Sequence, residues 1–556
     1  MVNTTPPSQR RNTLVIAILG IIFFMAVAHL ELVPFLEFNL ETHNSGVGSQ
    51  VNPKSSSSVS TPLSPSLSES ETENVSPNNE EHLQSEGNKE HNPFLTMFPE
   101  RPPGDQELFL GYVPHSGFHN QRIELQNALR LAAYLNRTLL LPPLFSCAKF
   151  MNIGWDRPSV LLAKWGDLTR EYSQSCRNLD PAQLAPMTWD EYRVMTPEER
   201  EQDCRVYHSW TLTPWTYVFD IQRVIQGVVG IGGQTEPMRV FDRPNATIAW
   251  MAEHLGITDL DKEVYWLNGT TRWDFQILDD SEADYDLHPE ARPNPRRYSQ
   301  ELPLSNLKAR PERVIHFGSF FGSDRLKAST QAHVELQQYI DTSLDIWNQK
   351  ILDATELVEA QIEKWRVLTA RAAPGFLGAH LRTEDGGFKT YAEQNLELLT
   401  LWVRNMTNLD QQALTNITSP IQQPVPAQAQ LPPNTNEQQE QEPPTFLDRC
   451  MGQPPESPLV YLATDIHHPR LSPFLVNFLN EFPCTMVLSD FPESVQLLDG
   501  IHNTVDNIHM LPFLIALLDA NLAAYGRQFH GTDVSTFSLY ISHHLWPEYH
   551  PSSTLL

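Results

Sequence analysis

Gly111 to Pro143 reads GYVPHSGFHNQRIELQNALRLAAYLNRTLLLPP, and this stretch decides the fold. It holds a polar, glycine-bearing turn, an amphipathic helix and a strand-like apolar run in succession. Leu125, Ala128, Leu129, Ala132 and Leu135 recur at helical spacing, so one face of the helix is suited to lie on a sheet. The preceding turn, His115-Ser116-Gly117-Phe118-His119-Asn120-Gln121-Arg122, is polar beyond the needs of a connector. A glycine-bearing loop that feeds a helix N-terminus suits phosphate, because free backbone N–H groups and the helix dipole converge there. Gly117 in a simple tight turn is the plainer account of that one residue.

Outward from this unit, Thr138 to Leu144, Arg313 to Phe321, Phe376 to Leu381, Leu459 to Ala463 and Thr485 to Leu488 read as strands. Leu125 to Leu135, His333 to Trp347 and Thr355 to Leu368 read as helices. The alternation predicts an α/β protein with mainly parallel sheets, divided into lobes at 107–372 and 373–556. A Gln- and Pro-rich tract, 419–444, predicts a solvated insertion in the second lobe, with Asn405 and Asn416 at its margin.

The front of the chain is organised differently. Residues 1–12 are polar and carry Arg10 and Arg11, and 13–33 are almost wholly apolar. This predicts a cytosolic tail followed by a transmembrane signal-anchor, a single-pass type II arrangement in the ER or Golgi membrane with the remainder lumenal. Cleavage after Ala28, giving a secreted protein, is the competing reading. Residues 34–106 are rich in Ser, Asn, Glu and Pro, and predict a disordered stem. Asn-x-Ser/Thr sites at Asn74, Asn136, Asn245, Asn268, Asn405 and Asn416 agree with a secretory compartment. The five cysteines, Cys147, Cys176, Cys204, Cys450 and Cys484, lack close spacing, which argues against zinc and for disulfides. Cys450 with Cys484, plus two of the other three, is one pairing. The formal net charge of −28 excludes a nucleic-acid surface but leaves room for a local basic pocket.

Two further clusters carry chemistry. In Gly378-Ala379-His380-Leu381-Arg382-Thr383-Glu384-Asp385, strand alternation sends His380 and Arg382 to one side and Leu381 to the other. Arg382 then stands near the carboxyl end of a strand, where open α/β sheets bind ligands, and its guanidinium can hold phosphate by two parallel hydrogen bonds. A surface pair with Glu384 or Asp385 is the alternative. Towards the C-terminus, Asp519 is followed by Phe529-His530-Gly531-Thr532-Asp533-Val534-Ser535-Thr536-Phe537-Ser538. Thr532, Ser535 and Thr536 can donate to phosphate or ribose and Phe537 can lie beside a base, whereas helix capping accounts for Ser535 alone.

In this order and spacing the three clusters resemble the GDP-fucose protein O-fucosyltransferase superfamily, in a fungal-type, membrane-anchored form. Phe118-x-Asn120-Gln121 with Asn136-Arg137-Thr138-Leu139 and Pro142-Pro143 looks like the family's opening motif. His380-x-Arg382 with Asp385 is similar to its second. Asp519, Phe529-x-Gly531-Thr532 and Ser535-Thr536-Phe537 resemble its third. The resemblance implies two Rossmann-like lobes of the GT-B type with GDP-fucose as donor substrate and no resident cofactor or metal. It implies inversion at the anomeric carbon, with Arg382 neutralising the departing phosphate and Asn120 bonding the reacting sugar or phosphate. Gly117, Phe118, His380, Asp385, Asp519, Thr532, Ser535, Thr536 and Phe537 would line the donor site. The acceptor is a hydroxyl of a protein or glycan. Some relatives place a glutamate base before the Gly-Phe pair; here Ser116 stands there, so either the base is absent or His115 or His119 takes its role.

Two other readings follow from the residues. Asp259-Leu260-Asp261 and Asp284-Tyr285-Asp286 fit the Asp-x-Asp signature of metal-dependent glycosyltransferases. A non-catalytic lumenal binding protein of the same fold is the other.

Overall fold

The Phe109–Tyr112 strand (β1) is buried at all four positions, as is Thr138–Leu141 (β2), so neither shows the alternation of a half-exposed strand. Strands covered on both faces belong to parallel sheets. In the computed structural model, β1 and β2 pair in parallel and are joined by Val240–Asp242 (β3), Val264–Leu267 (β4) and Val314–Phe317 (β5). The order across this five-stranded sheet is β3-β2-β1-β5-β4. A second parallel sheet is built from Leu377–Leu381 (β6), Val460–Thr464 (β7), Thr485–Met486 (β8) and Gln528–Gly531 (β9), in the order β8-β7-β6-β9. The structure describes residues 104, 106–114, 116–147, 202–242, 248–267, 272–279, 298–383, 386–417 and 445–551, with scattered positions between 176 and 199. All belong to one compact unit, Asn88–Leu556. The expected anchor, most of the stem and the 419–444 insertion lie outside them. Among the described residues no helix is long and apolar enough to cross a membrane.

Each sheet has a point where the chain reverses its direction of travel across the strands. From β1 the chain moves outward to β2 and β3, then returns to the other side of β1. From β6 it moves to β7 and β8, then returns to β9 on the opposite side. Such reversals leave a crevice beyond the carboxyl ends of the central strands. These ends carry the polar turn after β1 and the Arg382 segment after β6.

The helix after β1, Phe118–Leu135 (α1), carries the apolar stripe read from the sequence, but its polar side is buried too. Asn127 Nδ2 donates to the carbonyls of Phe320 and Gly322, at 2.9 Å each, and Glu124 Oε1 accepts from Phe320 N at 3.1 Å. The 318–322 loop thus saturates a helix face that a soluble helix would turn to water. At the helix end Asn136 takes a left-handed conformation (φ 51°) and its N–H returns to the last turn, a common C-cap.

One apolar cluster runs from Leu110, Leu129 and Ile315 of the first sheet to Leu518, Tyr540 and Leu545 around the second, so the lobes share a core. The outer faces have their own clusters, Phe109, Leu140, Trp250 and Val314 on one sheet and Leu377, Leu381, Leu399 and Val403 on the other. The Gln349–Leu368 helix (α2), read from sequence as starting at Thr355, packs on the helix Leu511–Tyr525 (α3) beside the second sheet.

Two expectations are corrected. The helix expected over His333 to Trp347 ends at Asp341, because Leu344 and Ile346 are buried in the extended stretch that follows. Asn405, expected at a loop margin, is an exposed position inside the 26-residue helix Ala392–Ile417. Of the possible cysteine pairings, Cys176–Cys204 and Cys450–Cys484 are formed. Cys450 and Cys484 are separated by 34 residues in sequence. Closing a loop of that length removes about 3 to 4 kcal/mol of unfolded-state freedom. A Cys450→Ala/Cys484→Ala variant is expected to lose stability of that order, read as a lower urea midpoint; an unchanged midpoint refutes it.

Candidate functional site

Asn120 is where the two crevices meet. Its Nδ2 donates to Ser116 Oγ at 2.9 Å, and its Oδ1 accepts from Thr536 Oγ1 at 3.1 Å. One amide therefore ties the turn after β1 to the segment after β9. Gln121 fixes that turn from behind. Its amide donates to the carbonyls of Ser116 and Phe145, both at 2.8 Å, and accepts from Phe145 N at 2.9 Å. Gln121 is fully buried, so its part is to hold the backbone. The left-handed residue of the turn is Ser116 (φ 65°), whereas Gly117 has an extended backbone and open space where a side chain would stand. Gly117 therefore does not serve the turn conformationally; it leaves the approach to the helix start clear. Phe118 is half-buried against Trp215 and Phe219, with ring centres 6.2 and 5.9 Å away.

The second sheet presents its residues from the opposite side. Leu377, Ala379 and Leu381 enter the outer core, which leaves His380 facing the interior. The His380 ring stacks on Phe537 at 4.4 Å and its Nδ1 meets Ser538 Oγ at 2.7 Å. Burial, reinforced by the Arg382 charge, pushes its pKa down to about 3, so the imidazole is neutral at working pH. Arg382 follows the strand, partly accessible, with Nε 3.5 Å from Asp465 Oδ2. Asp465 also accepts from Thr383 N and Thr383 Oγ1 at 2.9 Å each. Sequence reading missed Asp465, although it directly follows the apolar run that forms β7.

Thr532 clamps β6 to β9. Its N–H and hydroxyl donate to the His380 carbonyl, at 3.1 and 3.2 Å, and its oxygen accepts from Arg382 N at 2.9 Å. Ser535 caps the short helix Thr536–Tyr540 (α4), accepting from Ser538 N. Between them Val534 adopts φ 55°, which a β-branched residue tolerates poorly. Strain of this kind is found at ligand clamps and switch segments. Phe537 is buried, stacked on His380 of its own sheet and meeting the His119 ring of the first lobe in a T-shaped contact, so it offers no open stacking surface.

Asp519 is not brought to this cluster. It projects from α3 towards β7 and accepts from the Tyr461 hydroxyl at 2.5 Å. Although some of its surface stays accessible, burial of the carboxyl pushes its pKa up to about 7. A carboxyl raised in the folded state keeps its proton where the unfolded chain has lost it. The stability it contributes is therefore full at acid pH and lost as pH rises from the ordinary carboxylate range through about 7. Asp519→Asn is expected to flatten the dependence of the urea midpoint on pH between about 4 and 7. A slope equal to that of the parent refutes this.

Several expected residues lie outside the described ones: His115, Asp385, and the acidic pair Asp284 and Asp286. Asp259, in the other Asp-x-Asp, caps the Leu260–Glu263 turn and pairs with Lys262 at 2.6 Å. Arg137 of the opening motif is buried and donates to the carbonyls of Arg310 and Glu312, at 2.7 and 2.9 Å, a structural role. Arg122, Tyr540 and Ser538 join the junction without having been singled out. Arg122 reads as part of the polar turn, and the Tyr540 ring of α4 covers it.

No family model matches the chain. A segment of 52 residues is 52% identical to O-fucosyltransferase 30 of Arabidopsis thaliana; the match spans 8% of this chain and 10% of that protein's length. Among solved structures, the chain is similar to the apo form of POFUT1, with 12% identity and a TM-score of 0.29 over 81% of this chain and 98% of that one. It is also similar to POFUT1 in complex with GDP-fucose, with 12% identity and a TM-score of 0.25 over 78% and 99%.

Proposed function

We propose that this protein is a glycosyltransferase that moves fucose from GDP-fucose to a hydroxyl of a protein or glycan acceptor. The observation that carries the reading is the Asn120–Thr536 hydrogen bond, which joins two loops lying beyond the carboxyl ends of two parallel sheets. Two such crevices meeting at one amide suit a ligand with two parts, a nucleotide and a sugar. The match to O-fucosyltransferase 30 adds support from a short stretch only.

In this mechanism the acceptor oxygen attacks the anomeric carbon as the bond to the departing phosphate breaks, with inversion. Arg382 receives the charge that grows on the leaving diphosphate, released from part of its attraction to Asp465 as the stronger anion arrives. Asn120 orients the sugar or phosphate by an amide already fixed by Ser116 and Thr536. Neutral His380 acts by shape and by positioning Phe537. His119, whose proton affinity is lowered by burial and then by Arg122, His380 and Arg382, is a poor acceptor for the hydroxyl proton. His115 is the better candidate for the base. In this reading 13–33 anchors the chain, 34–106 is its stem, and the catalytic region is lumenal.

Incubating the purified chain with GDP-fucose and measuring GDP release, with and without protein and glycan acceptors, tests the proposal. Release that survives EDTA is the expected result. A protein that neither binds GDP-fucose nor releases GDP discards it.

A further inference from the structure

Two polar side chains near the start of α1 are buried with polar atoms unpaired. The His119 ring is 8% exposed, and neither nitrogen has a hydrogen-bond partner among the described residues. Phe118 and Phe537, with ring centres at 4.9 Å, and Tyr540, at 5.1 Å, enclose it. Arg122 is 6% exposed. Its Nη1 donates to Gln126 Oε1 at 2.8 Å and its guanidinium lies 4.5 Å from the centre of the Tyr540 ring, while Nε is unpaired. Burial lowers the Arg122 pKa, with Tyr540 opposing the shift and no carboxylate among the described residues doing so.

An imidazole and a guanidinium left unsatisfied cost stability that apolar side chains of similar shape would restore. Both stand where the two lobes meet, one and two residues from Asn120. Arg122, His380 and Arg382 all lie near enough to His119 to lower its proton affinity, after burial itself. The ring is therefore neutral and offers one N–H and one acceptor nitrogen, with two fixed positive charges nearby.

We propose that His119 and Arg122 form an anion-holding subsite alongside Arg382, which takes a phosphate oxygen of a nucleoside diphosphate when α4 gives way from α1. The subsite rests on the nucleotide-sugar reading above and deepens it. His119 donates its N–H to the oxygen, and Arg122 supplies charge that no carboxylate among the described residues pairs with. The Asn120–Thr536 bond and the His119–Phe537 contact are the groups that yield, so ligand binding and the junction between lobes are coupled.

Isothermal titration of the full chain with GDP, and separately with inorganic pyrophosphate, tests this. His119→Phe fills the aromatic space without a donor and is expected to weaken both ligands about tenfold or more. Its unliganded melting temperature is expected to stay level or rise. His119→Gln, which keeps an N–H, is expected to stay within about threefold of the parent. Arg122→Met is expected to weaken pyrophosphate and flatten the salt dependence of its binding, and decides the question alone if His119→Phe does not fold. A purely structural role predicts a lower melting temperature with unchanged affinity in His119→Phe, and that result overturns the subsite. Pyrophosphate bound without GDP, and weakened by these variants, removes the nucleotide reading and keeps the subsite. GDP bound equally by the parent, His119→Phe and Arg122→Met overturns the subsite and keeps the nucleotide reading. Neither ligand bound by the parent overturns both.

Discussion

Arg382→Ala is expected to lower turnover of GDP-fucose by about a hundredfold or more, the loss typical of removing one transition-state donor. The guanidinium is partly accessible and near Asp465, while its backbone N–H is held by Thr532. The side chain is thus presented from an anchored backbone, and its removal leaves β6 and β9 joined as before. Arg382→Lys keeps the charge but not the two parallel hydrogen bonds, and is expected to recover only part of the activity. Initial rates of GDP release, with circular dichroism to confirm folding, measure both variants. A folded Arg382→Ala protein with full activity removes Arg382 from the mechanism.

The largest effect on stability is expected at Gly378, the second residue of β6. A Cβ added there would stand 1.9 Å from the Ala523 carbonyl oxygen, and Gly526 approaches the same backbone. The obstacle is main chain of α3, which cannot rotate aside as a side chain can. Gly378→Ala therefore has to push α3 away from the sheet, at a cost of about 3 kcal/mol or more. Because β6 carries His380 and leads directly into Arg382, activity should fall together with stability, whereas Arg382→Ala should lose activity alone. Urea unfolding of Gly378→Ala with a midpoint equal to the parent would contradict the close approach.

The cores of β2, β5, β6, β7 and β8 were legible because parallel strands buried on both faces read as uninterrupted apolar runs. Val240–Asp242 and Val264–Leu267 were not. The first is three residues ending on Asp242, and both lie at the edges of the first sheet, where burial is incomplete. The helix Leu511–Tyr525 also escaped, since a helix apolar all round has no stripe to detect. Among candidate site residues, Asn120, His380, Arg382 and Thr536 are brought to one junction. Asp519 was read with Thr536 in the C-terminal cluster but turns inward to Tyr461, because α3 presents that face to β7.

The sequence by itself determined what local periodicity and chemistry encode: an α/β chain with parallel sheets, a polar turn leading into α1, and Arg382 beyond the end of a strand. Tertiary structure alone decided the partners of those groups. Gln121 reads as part of the polar turn, and Glu124 and Asn127 fall off the apolar stripe of α1, yet all three bond carbonyls and amides from distant loops. His119 and Arg122 read as turn polarity, yet they are enclosed by Phe537 and Tyr540 from more than four hundred residues away. The physical reason is the range of the two effects. Backbone periodicity acts over a few residues and leaves a signature in sequence. Desolvation and hydrogen bonding between lobes depend on which segments become neighbours only when the whole chain has folded.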